Sequence, residues 1–392
     1  MDGRRVTLLA LFDVSAAFDT VDHEILIKRL SISFGLADRP LDWISSFLAG
    51  RSSSVVVEAS RSPWALAPFG LPQGSVLAPL LYLLYTSDIS TLLSSYGVLS
   101  QLYADDTQAY LHCAPLAAIE AARTMQRAMG ALADWMSSNR LRLNAQKTHF
   151  IWLGTRQQLA KLDQSALSAE FPAMSFSLVV RDLGVLLDQE LTFSPHINQV
   201  CRSCYYQLRQ LRVIARSLNF KAAVSLVHAF VLSRLDYCAS IYAGLPRVRI
   251  ERLERVHRAA ARLIGGFGKT DRISQYMREV LHWLPFPQRI SYRIASLVWR
   301  CLSGWAPSYL RELCRPLSTC TGRRALRSSV HGDLAVPFAR SATMQSRSFS
   351  VVGPTTWNGL TLDLRHLSNY SQFHQMLKTA FFRMAWVGSA SE

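Results

Sequence analysis

Hydrophobic positions follow two different rhythms along this chain. In the first half, short continuous apolar runs are interleaved with helical spacings. Val6–Phe12 (VTLLALF) is apolar throughout and stops at Asp13. That predicts a buried strand with a carboxylate at its C-terminal end. From Asp22 to Phe34 the apolar residues Ile25, Leu26, Leu30 and Phe34 keep a helical period, and Gly35 supplies a stop. Asp42–Leu48 predicts a second short helix closed by Gly50, and Ser53–Glu58 a strand. A turn-rich stretch with Pro63, Pro68 and Pro72 leads to an apolar helix over about Ser75–Ser87. Val98–Tyr103 and Thr107–Leu111 are two apolar runs separated by Ala104-Asp105-Asp106. This is the pattern of a hairpin, with two carboxylates in the turn where Asn-Gly is usual. Ile119, Ala122, Met125, Met129, Leu132 and Met136 make one stripe on a helix from about Leu116 to Ser138. Strands at about His149–Leu153 and Leu183–Leu187 complete this half. Strands and helices are mixed without regular alternation, which predicts an α+β, palm-like sheet with helices on one face.

The second half is helical. Ser194 reads as an N-cap with Pro195 at the first helical position. Ile197, Val200, Cys204, Leu208 and Leu211 form the buried stripe of that helix. A helix over Asn219–Tyr242 is apolar on most sides and is expected to be central. Another, over Arg247–Ile264, buries Ile250, Leu253, Val256, Ala260 and Leu263 and stops at Gly265-Gly266. Ser318–Ser329 is small, polar and Arg-rich, which reads as a linker, and a last helix covers about Ser368–Trp386. Three regions follow: a palm over 1–190, an Arg-rich helical, thumb-like region over 191–275, and a C-terminal region over 276–392.

Charge sharpens this division. The 392 residues hold 43 Lys plus Arg against 27 Asp plus Glu, a net charge of +16. Residues 1–190 are net −3 and residues 191–392 net +19, and 25 of the 28 basic residues in the second half are Arg. A long one-signed half rewards a phosphate backbone through counterion release, so it points to a nucleic-acid partner. Arg202, Arg209 and Arg216 are spaced by seven, and Arg252, Arg255, Arg258 and Arg262 fall within about a third of a helix circumference. These seven are the expected nucleic-acid grip. The longest apolar stretches, Leu77–Tyr85 and Ala222–Leu232, fall short of the ~18 residues of a membrane span. The seven cysteines are scattered, which fits reduced thiols inside the cell, in nucleus or cytoplasm, and not a secreted disulfide framework. Cys201 and Cys204 have CxxC spacing inside a helix but lack a second ligand pair at zinc-finger distance, so they read as packing thiols. His23, His228 and His257 read as packing or capping residues.

The chemistry centres on Asp13, Asp105 and Asp106, each at the end of an apolar run. Burying three carboxylates near one another is costly unless a cation neutralises them, whereas taken alone Asp105-Asp106 equally fit a polar turn, where Asp is common. Hard oxygen ligands select Mg²⁺, with Mn²⁺ as a substitute, and two such ions about 4 Å apart activate a hydroxyl and steady a leaving pyrophosphate.

The surrounding strings carry a family resemblance. Phe12-Asp13-Val14-Ser15-Ala16-Ala17-Phe18-Asp19-Thr20-Val21-Asp22-His23 resembles the first carboxylate motif of reverse transcriptases from LINE-type (non-LTR) retrotransposons. Gly70-Leu71-Pro72-Gln73-Gly74-Ser75-Val76-Leu77-Ala78-Pro79-Leu80-Leu81 is similar to their Pro-Gln-Gly motif, and Tyr103-Ala104-Asp105-Asp106 to their catalytic box. Leu143-Asn144-Ala145-Gln146-Lys147-Thr148 resembles the lysine motif and Leu183–Asp188 the primer-grip region. Ser233–Cys238 and Leu281–Pro285 are similar to the C-terminal part of jockey-like elements, so the resemblance covers nearly the whole chain.

That resemblance implies an RNA-directed DNA polymerase with an RNA template, a DNA primer and deoxynucleoside triphosphates as partners. It assigns the two metal ions to Asp13, Asp105 and Asp106, with the Val14 carbonyl as a further ligand. Phe18 would stand under the sugar and exclude a 2′-hydroxyl. Gln73, Gly74 and Tyr103 would line the nucleotide pocket, and Lys147 would protonate the leaving pyrophosphate. Only 12 residues precede Asp13, where this family carries a large fingers segment, and the sequence contains no endonuclease region. A polymerase domain and a remnant that grips nucleic acid without polymerising are therefore both open, and template-dependent extension with Mg²⁺ separates them.

Overall fold

The continuous apolar run becomes the inner strand β1, Val6–Phe12, and all seven of its residues are buried. In the computed structural model, which describes residues 4–319, 332–339 and 345–386, the chain divides into two compact units, Met1–Leu191 and Thr192–Glu392. The first unit is built on a four-stranded antiparallel sheet. Its strands are β1, β2 (Leu99–Tyr103), β3 (Asp106–Cys113) and β4 (His149–Leu153), in the order β2-β3-β1-β4. The register sets Phe12 opposite Thr107 and Leu11 opposite His149.

Side-chain alternation along β1 splits the core into two. Val6, Leu8, Ala10 and Phe12 join the large cluster under helices α1 (His23–Phe34), α2 (Asp38–Leu48), α3 (Ala78–Tyr85) and α4 (Ala118–Ser138). Leu9 and Leu11 turn the other way and pack with Ile151, Leu153 and Val180. That second face is covered by a hairpin of β5 (Val179–Asp182) and β6 (Val185–Asp188). The fold is thus α+β, with helices on one face and a hairpin on the other. Burial on both faces explains why β1 carries no polar alternation.

Local chemistry explains the boundaries that match the expectations. Asp22 caps α1 by accepting from the N–H groups of Glu24 and Ile25, and Gly35 closes it at φ 66°. Five elements differ. The expected strand Ser53–Glu58 is not one strand. Ser52–Ser53 pairs with Ala65–Leu66 and Val56–Val57 with Ser60–Arg61, leaving Val55, Val56 and Val57 exposed. The β-branched run has strand propensity but no sheet face to bury. In the primer-grip region only Val185–Asp188 is strand. Leu183 and Gly184, at φ 43° and 84°, form the two-residue turn to the unanticipated partner β5.

The helix expected to be capped by Ser194 is α5, Ser194–Ile214. Ser194 is already its first residue, and Phe193 fills the cap position at φ 56°. The helix expected over Asn219–Tyr242 is interrupted. Asn219 caps α6 (Phe220–Val227), a π turn spans His228–Leu232, and the last α turn, Ser233–Asp236, ends where Cys238 takes φ 51°. On α7 (Arg247–Gly265), His257 and Ala261 join the buried face, while Leu263 is only half-buried.

In the second unit α5 packs on α7. Helix α8 (Phe286–Leu302) lies against α9 (Phe349–Asn358) and α10 (Tyr370–Trp386). The Cys201 thiol donates to the Arg252 carbonyl and the Cys204 thiol to that of Val231, both at 3.7 Å, and burial pushes Cys204 up to about 12. His257 stacks on Trp283 at 5.0 Å between ring centres. Asp236 accepts two hydrogen bonds from Arg289, at 2.5 and 2.6 Å, and one from Arg293 at 3.0 Å. Each C-terminal motif string thus supplies one such contact, Asp236 to Arg289 and Arg293 of α8 and Trp283 to His257 of α7. The linker expected over 318–329 lies, from residue 320 on, outside the described residues.

Candidate active site

β1 ends at Phe12, and the register Phe12↔Thr107 carries Asp13 to a place beside Asp106, the first residue of β3. Alternation puts Asp13 in phase with Leu9 and Leu11, toward the β5–β6 hairpin. Asp106 is in phase with Gln108 and Tyr110. Tyr110 packs on that same face, and Gln108 donates to Asp182 of β5 at 2.7 Å. Both carboxylates thus share the face opposite the helices. The sequence pattern places all of Ala104-Asp105-Asp106 in the hairpin turn, but the turn is Ala104-Asp105 alone. Tyr103 and Asp106 pair across it, and Ala104 adopts φ 52°. A non-glycine residue held in the left-handed region at the tip of a two-residue turn is local strain, which is common at functional sites.

The electrostatics tie the three acids together. Asp106 is accessible to solvent, yet the protein around it strips part of its water. That desolvation, followed by the charges of Asp105 and Asp13, raises its carboxyl above the usual range. Asp182 is raised by burial and then by the charge of Asp106, against the hydrogen bond from Gln108. The Asp105 charge also reaches the Tyr82 hydroxyl, which burial raises first.

Lys147 reaches the same end of the sheet. Its Nζ stands 3.4 Å from Asp13 Oδ2. The lysine motif holds it there through Asn144, a residue to which the motif resemblance assigns no role. The Asn144 N–H donates to the Asp13 carbonyl at 2.8 Å, and its side chain accepts from the Gln146 N–H. Val14 bridges to Leu143 with its side chain buried. The two bonds at that bridge, Ser15 N–H to Arg142 and Asn144 N–H to Asp13, do not use the Val14 carbonyl.

Phe18 stacks on Tyr82 at 4.8 Å, and Gln73 and Gly74 lie on an exposed loop beside it. Gly74 sits at φ 85°, and a Cβ added there would meet nothing within 4 Å. Its left-handed backbone, and not crowding, is what requires glycine. Tyr103 is 64% exposed and projects from the hairpin.

Residues 2–174 match the family described as reverse transcriptase (RNA-dependent DNA polymerase). This segment is a reverse transcriptase domain. Beyond it, the similarity to curated proteins extends into the helical half. The chain is 31% identical over 233 residues to a probable RNA-directed DNA polymerase from transposon BS of Drosophila melanogaster. That match takes in 57% of this chain and 24% of the relative. It is 28% identical over 263 residues to the RNA-directed DNA polymerase from mobile element jockey of Drosophila funebris, covering 65% of this chain and 28% of that protein. The Drosophila melanogaster jockey protein is 25% identical over 274 residues, 68% of this chain and 29% of its own length. The chain thus spans about a quarter of the length of the curated relatives it matches. All three relatives are named as RNA-directed DNA polymerases of a transposon or mobile element.

The acids of this site suit a hard divalent cation, because desolvation and then the charges of Asp105 and Asp13 already lift Asp106, and a positive charge would relieve it. Among the described residues, no three His, Cys, Asp or Glu side chains stand close enough to enclose an ion by themselves.

The seven arginines belong to the second unit. Arg202, Arg209 and Arg216 are exposed, Arg216 in a 3₁₀ turn just past α5. Arg252, Arg255 and Arg258 are exposed on α7, and Arg258 pairs with Glu254 at 3.3 Å. Arg262 is half-buried and donates to the Asp271 carbonyl. Helix α5 packs on α7, and Tyr205 of α5, raised first by burial, also feels the guanidinium charges of Arg255 and Arg262. Among the described residues no helix is long and apolar enough to cross a membrane.

Proposed function

We propose that this chain is the polymerising domain of an RNA-directed DNA polymerase, adding deoxynucleotides to a primer 3′-hydroxyl along an RNA template. The observation that carries this reading is the shared face of Asp13 and Asp106 at the end of neighbouring antiparallel strands, with Lys147 at 3.4 Å from Asp13. Asp13, Asp105 and Asp106, with the Val14 carbonyl, would hold the divalent ions. Bound there, Mg²⁺ or Mn²⁺ supplies neutralisation of the phosphates and activation of the attacking hydroxyl.

The remaining work falls to the chain itself. Phe18, steadied by Tyr82, forms a flat floor for the nucleotide sugar and leaves no room for a 2′-hydroxyl. Gln73, Gly74 and Tyr103 border the nucleotide, and Lys147 Nζ holds a proton for the departing pyrophosphate. The helical region over 191–275 acts as the thumb-like grip, with the exposed arginines of α5 and α7 following a phosphate backbone in a sequence-independent way. Catalysis in this scheme is mostly positioning and charge neutralisation.

Primer extension on an RNA template with Mg²⁺ tests the proposal. Template-dependent extension that Asp105→Asn abolishes, with nucleic-acid binding unchanged, supports it. The lopsided charge favours a second reading, a domain that grips nucleic acid without polymerising. Tight, salt-dependent binding of primed template with no nucleotide addition at any Mg²⁺ or Mn²⁺ concentration would select that reading instead.

A further inference from the structure

The loop carrying Gln73 is stitched to the loop that follows Asp13 by a compact set of contacts. Gly70 N–H donates to the Val21 carbonyl at 2.8 Å and Leu71 N–H to the Phe18 carbonyl at 2.7 Å. His23 Nε2 contacts the Gly70 carbonyl at 2.7 Å. Gly70 adopts φ 88°, and a Cβ there would meet the Asp19 carbonyl oxygen at 2.8 Å, so the two backbones touch. Only one of these ties reaches a side chain that the nucleotide reading uses. Gln73 Nε2 donates to Asp19 Oδ1 at 2.9 Å.

We propose that Asp19 is a positioning residue that fixes the Gln73 amide for the incoming deoxynucleotide. This rests on the reading of Gln73 as part of the nucleotide pocket. Gln73 and Asp19 are both exposed, so nothing in the packing selects one rotamer or one amide orientation of Gln73. A carboxylate accepts and cannot donate when ionised. It therefore holds the NH₂ end of the amide and turns the Oε1 end outward as an acceptor for a hydroxyl or N–H of the nucleotide. The hydrogen bond is charge-assisted, which strengthens it at an exposed site. Asp19 directly follows Phe18, so the same short segment sets both the sugar floor and the amide beside it.

The test measures binding and not turnover. The chain, with Mg²⁺ and a primed RNA template whose primer lacks a 3′-hydroxyl, is titrated with the complementary radiolabelled deoxynucleoside triphosphate. Asp19→Ala is expected to weaken that binding by about three- to tenfold. Asp19→Asn keeps an acceptor oxygen at the same place and is expected to restore most of the loss. In a Gln73→Ala background, Asp19→Ala is expected to add nothing, because its action runs through Gln73. Full additivity of the two substitutions, or Asp19→Asn as weak as Asp19→Ala, overturns the proposal; the latter result means that Asp19 acts through its charge. Failure of the underlying reading looks different. Then Gln73→Ala itself leaves affinity unchanged, or the unaltered chain shows no binding that depends on Asp13.

Discussion

Lys147 should compete with the divalent cation for Asp13, and its removal should tighten metal binding. Its ammonium lies 3.4 Å from Asp13 Oδ2, with 67% of the lysine side chain and 28% of the aspartate side chain exposed. At that separation two unit charges attract by roughly 1 kcal/mol in water and roughly 5 kcal/mol at an effective dielectric of 20. The exposure of both groups selects the lower figure, since solvent and salt screen the pair. Lys147→Met removes that competitor, so Mn²⁺ should bind about fivefold more tightly at low ionic strength. Electron paramagnetic resonance of the free aqueous Mn²⁺ ion measures this directly. The difference should vanish as salt rises through the range where the Debye length drops to about 3 Å. Asp13→Asn should weaken Mn²⁺ binding in either background. Equal or weaker binding by Lys147→Met would refute the reasoning, because it would mean that the lysine does not share Asp13 with the ion.

Metal affinity should also fall early on acidification. Asp106 is raised by desolvation and by Asp105 and Asp13, so it loses its charge at a higher pH than an ordinary aspartate, and a Mn²⁺ titration flat down to about pH 4 would contradict this. In the second unit Asp236→Ala should cost about 3–5 kcal/mol in urea unfolding, since it strands the nearly buried Arg289, whereas Arg293→Ala at the half-exposed end should cost under about 1 kcal/mol. Burial alone would raise the Asp236 carboxyl, but Arg289 and Arg293 hold it below the usual range. Its stabilisation is therefore present above the unfolded carboxyl value and lost as pH falls through the lower folded value, so the Asp236→Ala deficit should shrink below about pH 4. Gly70→Ala should destabilise the first unit by more than Gly74→Ala, because both carry a left-handed penalty of about 1–2 kcal/mol but only residue 70 has a backbone oxygen 2.8 Å from the new Cβ. Replacing Arg209 and Arg255 together by Ala should weaken binding alike for all sequences and reduce the slope of log affinity against log salt by about 2; an unchanged slope would place them off the phosphate path.

The elements that are legible in the sequence are those whose local chemistry and burial agree. β1 reads as a buried strand because its run is continuously apolar, and α1 as a helix because Asp22 and Gly35 punctuate a clean period. The three acids are legible as strand-end carboxylates, and motif context adds the lysine. The misreadings share a cause in tertiary placement. Val55–Val57 has strand chemistry without a sheet to join. The π turn at His228–Leu232 leaves no local mark in an apolar run that continues through it. Asp19, Asn144 and Tyr82 escape a sequence reading as supporting residues because their partners lie far along the chain: Gln73 is 54 residues from Asp19. The one available signal is that Asp19 and Asn144 fall inside the motif strings themselves.

The meeting of Asp13 and Asp106 depends on counting. Asp13 is one residue past Phe12, Asp106 one residue before Thr107, and Phe12 and Thr107 face each other across the ladder. Each strand is a ruler with a two-residue period, so a single insertion or deletion between Val6 and Phe12, or between Thr107 and Cys113, would send one carboxylate into the helical core and leave the other alone on the hairpin face. Length variation along this lineage should therefore be absent from those two strands and collect in the loops around Ser52–Leu66, whose short ladders position no carboxylate. A chain that drifts freely in sequence can keep its chemistry for as long as those two distances hold, which makes strand length, more than side-chain identity within the strands, the quantity under constraint.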